Sequence, residues 1–164
     1  MKAKHQSYIL FILMILFTTL LTGCKSDPVN FSVESLTVTL NKSFTQEKHE
    51  GFDLYAQSDN IIFSAVEETF HELEYSGFEI LSLKDYCSEI LSLNQTSDNE
   101  LKSRGNYYYF TNEKTVSGAS YTYVHCMYEG NSSYWICEFV CKTKHYNRYK
   151  DDIFKWADSV TIAN

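Results

Sequence analysis

Cysteine, histidine and tyrosine are the residues in this chain whose types and spacing could do chemistry. Cys87, Cys126, Cys137 and Cys141 lie in the second half, well apart from Cys24. A thiol reacts or binds metal as the thiolate, so it needs a base, a helix end or a metal beside it. Cys137 and Cys141 share a strand face about 13 Å apart, and no Cys-x-x-Cys pair occurs, which argues against zinc. His125 and Cys126 are neighbours that a strand points to opposite faces, so they make no nucleophile and base pair. One oxidative pairing is geometrically open. If a hairpin turns symmetrically about residues 131 and 132, Cys126 lies directly across from Cys137, within disulfide reach. The alternative is a set of free, buried cysteines behaving as small hydrophobes.

Other motifs fail on spacing. His71-Glu72 has Tyr75 where a zinc protease needs its second histidine. Ser117 and Ser120 lack the flanking glycines of a nucleophile elbow. Glu67 with Glu68 and Asp151 with Asp152 are adjacent rather than convergent. No catalytic constellation and no cofactor motif emerges, and the chain reads as a non-enzyme.

The tyrosines have positive content. Tyr121 and Tyr123 share a strand face with His125 and Met127, and Tyr107 and Tyr109 share a face of the preceding strand. If the two faces coincide and stay uncovered, they form a platform for a peptide, a glycan or a partner protein. Covered by helices, the same rings become core.

The elements that position these residues follow from periodicity. Ser35–Leu40 alternates as a half-buried strand with Leu36, Val38 and Leu40 inward, and Asn41-Lys42-Ser43 turns the chain. Two β-rich runs around Ser58-Asp59-Asn60 predict a hairpin over about 51–69, its second arm either strand throughout or helical after Ala65. Ser82, three residues before Asp85, caps a helix over about 83–94, with Leu83, Tyr86, Cys87, Ile90, Leu91 and Asn94 along one stripe. Residues 94–106 are polar and read as a loop. Strands follow at 107–110, 119–128 and 134–142, the last two joined through Glu129–Ser133 as a hairpin. From Lys144, Tyr146, Tyr149, Ile153, Trp156 and Val160 recur at helical spacing. Strands, helix, three strands and helix indicate an α+β fold, an α/β/α sandwich with a mainly antiparallel sheet.

The amino terminus tells where the domain works. Lys2, Lys4 and His5 precede an apolar run from Tyr8 to Leu21, too short for a permanent span and the right length for a secretory signal. Leu21-Thr22-Gly23-Cys24 resembles the bacterial lipobox. That resemblance implies cleavage after residue 23 and acylation of Cys24, palmitate included, with two or three chains giving a durable membrane anchor on the extracytoplasmic side. Residues 24–33 then read as linker and 34–164 as one globular domain. Loss of Lys2 and Lys4 with residues 1–23 takes the formal charge from −7 to −9. An acidic surface of this kind argues against nucleic acid.

The succession SLTVTLNKSF, YAQSDNIIFSAVEE, SLKDYCSEIL, YTYVHCMYEGNSSYWICEFV and YKDDIFKWADSV resembles the PsbP/Mog-like superfamily, over nearly all of residues 34–164. The resemblance implies a non-catalytic accessory domain that docks on a protein partner or envelope ligand. A binding module for a small molecule or glycan is the alternative, and a thiol-dependent enzyme a further one.

Overall fold

The computed structural model describes residues 27–79, 82–94 and 100–163. The signal segment 1–23, Cys24 and residues 95–99 of the polar loop lie outside the described residues. In chain order the elements are β1 (Pro28–Val33), β2 (Leu36–Asn41), β3 (Thr45–Glu47), β4 (Leu54–Gln57), β5 (Ile61–Thr69), α1 (Phe70–Tyr75), α2 (Leu83–Leu93), β6 (Lys102–Arg104), β7 (Tyr107–Val116), β8 (Ala119–Glu129), β9 (Ser133–Lys142), α3 (Thr143–Ala157) and β10 (Thr161–Ile162). Seven strands form an antiparallel sheet in the order β3-β4-β5-β9-β8-β7-β6, and β1-β2-β10 form a second, smaller sheet. This is the α+β architecture that the element succession predicts.

The large sheet has two unlike faces. One is sealed by α3 and the small sheet, over a core that includes Leu36, Val38, Leu40, Phe63, Val124, Trp135, Phe139 and Ile153. Helix α3 presents Ile153, Phe154, Trp156 and Ala157 to it. Burial of so many large side chains at roughly 25 cal/mol per Å² of apolar surface is what holds the layers together. On the other face α2 lays Leu83, Tyr86 and Cys87 on Phe110, Met127 and Tyr134, and its C-cap residue Asn94 reaches Lys114. Tyr86 stacks on Tyr134 with ring centroids 4.0 Å apart and donates a hydrogen bond to Glu68 at 2.7 Å.

The structure departs from the sequence reading in several places and decides one of its alternatives; within residues 94–106, read as a loop, Lys102–Arg104 form β6 against β7. Residues 28–33, read as the end of a linker, pair along their whole length with β2, from Pro28↔Asn41 to Val33↔Leu36. Only Phe31 in this strand is buried, which is why its alternation reads weakly. Pro28 takes the first strand position, where a missing N–H is tolerated. The second arm of the 51–69 hairpin stays strand through Thr69, and a short helix begins only there. Thr69 caps it reciprocally with Glu72, the two hydroxyl and carboxylate bonds closing a capping box. The strand marked at 107–110 runs on to Val116 and turns back through Ser117 (φ 51°) and Gly118 (φ 80°). Two consecutive positive φ values define the type I′ turn that matches strand twist in a two-residue hairpin.

Candidate functional site

The end of the large sheet that α2 leaves open carries the candidate site. Directly opposed residues of antiparallel strands point to the same face, so strand register arranges this surface in rows. The outermost row is Lys114, Tyr121 and Lys142 on β7, β8 and β9. The next is Asn112, Tyr123, Val140, Ile62 and Gln57, and the third is Phe110, His125, Glu138, Ser64 and Tyr55. Tyr55, Ile62, Tyr121, Tyr123 and Val140 are all half-buried. Together they present an aromatic and aliphatic floor. Beside it, the turn after β4 and the start of α3 frame a cleft of about 270 Å³ lined by Gln57, Ile62, Tyr121, Val140, Lys142 and His145.

A buried polar row underlies that floor. His125 is 2% exposed, and its Nδ1 donates to Glu138 Oε1 at 2.8 Å. Its Nε2 lies 3.2 Å from Asn112 Oδ1. Phe110 stacks on the imidazole at 4.4 Å, and Tyr123 lies parallel to it at 6.1 Å. The strand register explains the short contact. Gly130 N–H donates to Ser133 C=O at 2.8 Å, which makes 130 and 133 a hydrogen-bonded pair. Pairs then alternate, so His125 and Glu138 occupy a non-hydrogen-bonded site where side chains come closer. Burial alone would push the Glu138 carboxyl up, but the His125 hydrogen bond and charge, with Lys114, hold it below the usual carboxylate range. Both imidazole nitrogens are engaged, and the row ties β7, β8 and β9 together. The amide nitrogen of Asn112 is buried with no hydrogen-bond partner among the described residues.

The tyrosines read together in the sequence are separated by the sheet. Tyr107 opposes Tyr128 and Tyr109 opposes Cys126, which places both on the sealed face. Tyr107 is core, its ring 4.9 Å from Tyr128 and its hydroxyl donating to Asp158 at 3.0 Å. Tyr109 packs edge-on against Phe154 at 4.8 Å. Tyr121 and Tyr123 alone face the open side, so a four-tyrosine platform does not form. Its replacement draws on Tyr55, Ile62 and Val140; the β8–β9 hairpin register locates Val140, whereas Ile62 and Tyr55 arrive through the long-range β5–β9 pairing.

The four interior thiols are buried. Cys126, Cys137 and Cys141 lie on the sealed face and Cys87 under α2, all free. Burial pushes Cys87 up to about 12 and Cys137 well above the usual thiol value. Cys126 does lie directly opposite Cys137, as hairpin symmetry predicts. Counting from the 130–133 pair, however, this is a hydrogen-bonded site, where Cα atoms stand about 5.5 Å apart and side chains diverge.

No protein-family model matches the chain, and no curated protein matches it by sequence. Solved structures do match by fold. A Bacteroides thetaiotaomicron protein superposes with a TM-score of 0.59 at 11% identity over 85% of this chain, which spans about half (49%) of that longer protein. Cyanobacterial PsbP (CyanoP) from Synechocystis gives 0.52 at 9% identity, covering 86% of this chain and 95% of its own. The Saccharomyces cerevisiae Ran-binding protein Mog1p gives 0.52 at 6% identity over 85% and 97%. LpqN, involved in cell envelope biogenesis of Mycobacterium tuberculosis, gives 0.53 at 6% identity over 87% and 88%. The chain has a PsbP/Mog-like fold.

Proposed function

We propose that this chain is a lipid-anchored, extracytoplasmic accessory domain that binds a protein partner or cell-envelope ligand and catalyses nothing. The observation that carries the reading is the open half of the sheet. Half-buried tyrosines and aliphatic residues on a rigid sheet resemble the aromatic anchors of binding interfaces. The polar row beneath them is engaged with itself, and the thiols are sequestered with raised pKa values. Structural neighbours named for Ran binding and for cell envelope biogenesis support a binding role by analogy of fold.

Anchoring rests on Cys24 in its lipobox-like setting. Among the described residues no helix is long and apolar enough to cross a membrane. Membrane fractionation of wild type and Cys24→Ala tests the anchor: the wild type pellets with membranes, and the variant, with its signal removed, is released. Retention of the processed variant on the membrane would refute lipidation.

The cleft beside Tyr121 favours a second reading, a small-molecule or glycan module. At about 270 Å³ it stands near the lower limit for a ligand pocket. Thermal-shift screening against glycans and metabolites separates the two, since a partner-docking domain gains no stability from either.

A further inference from the structure

The outer row of the open face carries positive charge in a chain that is otherwise acidic. We propose that Lys114, Tyr121 and Lys142, with the apolar floor of Ile62, Tyr123 and Val140 behind them, dock an acidic, extended segment of a protein partner. The proposal rests on the accessory-domain reading and adds the partner's chemistry.

Charge complementarity carries it. The chain has a formal charge of −7, yet two exposed lysines flank Tyr121 on adjacent strands. Two strand spacings separate them by about 10 Å. The Lys114 ammonium lies over the Tyr123 ring at 5.3 Å and donates to Asn94 Oδ1 at 3.2 Å, which holds it above the floor. Lys142 is the N-cap residue of α3, whose first turn has neither a carboxylate nor a side-chain cap to offset it. Of the carboxylates on this side, Glu138 is engaged by His125 and lies within the field of Lys114, Glu47 accepts from Gln57 at 2.9 Å, and Asp59 lines the cleft.

The mixture of charge and apolar surface selects among anions. A polyanion without apolar groups would pair with the lysines and leave the floor wet. An apolar segment would cover the floor and desolvate the ammonium groups without compensation. Carboxylates alternating with apolar side chains satisfy both.

The probe is a short fluorescein-labelled peptide alternating Glu with Leu, titrated by anisotropy into the full chain in detergent micelles. Binding is expected to weaken as salt rises, and to weaken about tenfold or more in Lys114→Glu/Lys142→Glu. Both positions are exposed, and an unchanged far-UV spectrum confirms that the variant folds. Lys150→Glu on the outer surface of α3 is expected to bind as wild type does, and the peptide with Gln in place of Glu not to bind. Equal binding by the double variant, or by the Gln peptide, overturns the proposal. Displacement by polyphosphate at lower concentration than by unlabelled peptide overturns it in favour of an anionic polymer. Self-association in sedimentation that Tyr121→Ala abolishes overturns it in favour of a second copy. A photo-crosslinker at position 121 in cells separates this failure from that of the accessory reading: a single partner still captured after lysine reversal leaves the accessory domain and removes the acidic segment. No captured partner removes both.

Discussion

Cys126 and Cys137 face each other across β8 and β9 as free, fully buried thiols, in a pair whose backbones are joined by hydrogen bonds. In that position the Cβ atoms of opposed residues stand near 5.5 Å, beyond the 3.5–4.5 Å or so that a disulfide needs. The thiols are therefore expected to stay reduced. An aromatic disulfide reagent should leave all four interior cysteines unmodified in the native protein and modify all four in denaturant. Native reaction at any of them would indicate exposure that this fold does not allow.

His125 and Glu138 tie β8 to β9 under the open face, and pH should report on the tie. Glu138 titrates below its ordinary 4.5 in the folded chain. Asp158 is held below its ordinary 3.8, chiefly by the Arg104 hydrogen bonds at 2.7 and 2.6 Å and further by Tyr107. For a carboxylate depressed by folding, the stabilisation is complete above the unfolded value and is lost as pH falls through the folded one. Denaturant midpoints should therefore decline below about pH 4.5, and Glu138→Gln should flatten the decline. A variant with the wild-type slope would contradict the pairing.

Removing the histidine should cost more than removing a surface tyrosine of the same strand. His125→Ala leaves Glu138 partly buried without its donor and opens a gap against Phe110, an expected loss of about 2–4 kcal/mol in chemical denaturation. Tyr121→Ala, at the surface of the same strand, should cost about 1 kcal/mol or less while abolishing partner capture. A loss as large as that of His125→Ala would place Tyr121 in the core.

Ser117 occupies the first central position of a type I′ turn with φ 51°, a conformation that favours Asn or Gly. Ser117→Asn should raise stability by about 0.5 kcal/mol, and Ser117→Val should lower it by about 1 kcal/mol or more. Equal melting temperatures for the two would show that the turn is not built this way.

How far the sequence reveals these relations depends on whether local pattern or long-range register sets them. Alternation located Leu36, Val38 and Leu40 on one face of β2, and Ser82 with Asp85 located the start of α2, because both signals lie within one element. The symmetry of the 129–133 turn carried the Cys126–Cys137 opposition, since a two-residue turn sets every pair beyond it. The open face was beyond such reasoning. Whether Tyr121 is core or surface depends on where α2 lies across the sheet, and helix placement leaves no periodic trace in β8. Likewise Tyr107 and Tyr121 fall on opposite faces because Ser117-Gly118 closes a two-residue turn, which sequence alone presents as a strand entry.

The central claim is that a partner docks on the open half of the sheet. A photo-crosslinking residue placed at Tyr121, and separately at exposed Tyr75 on α1, tests it in cells expressing the anchored protein. The account predicts one crosslinked species of defined size from position 121, absent from position 75 and depleted in Tyr123→Ala. The same species from both positions, or none from 121 while the protein is membrane-bound and folded, would contradict it.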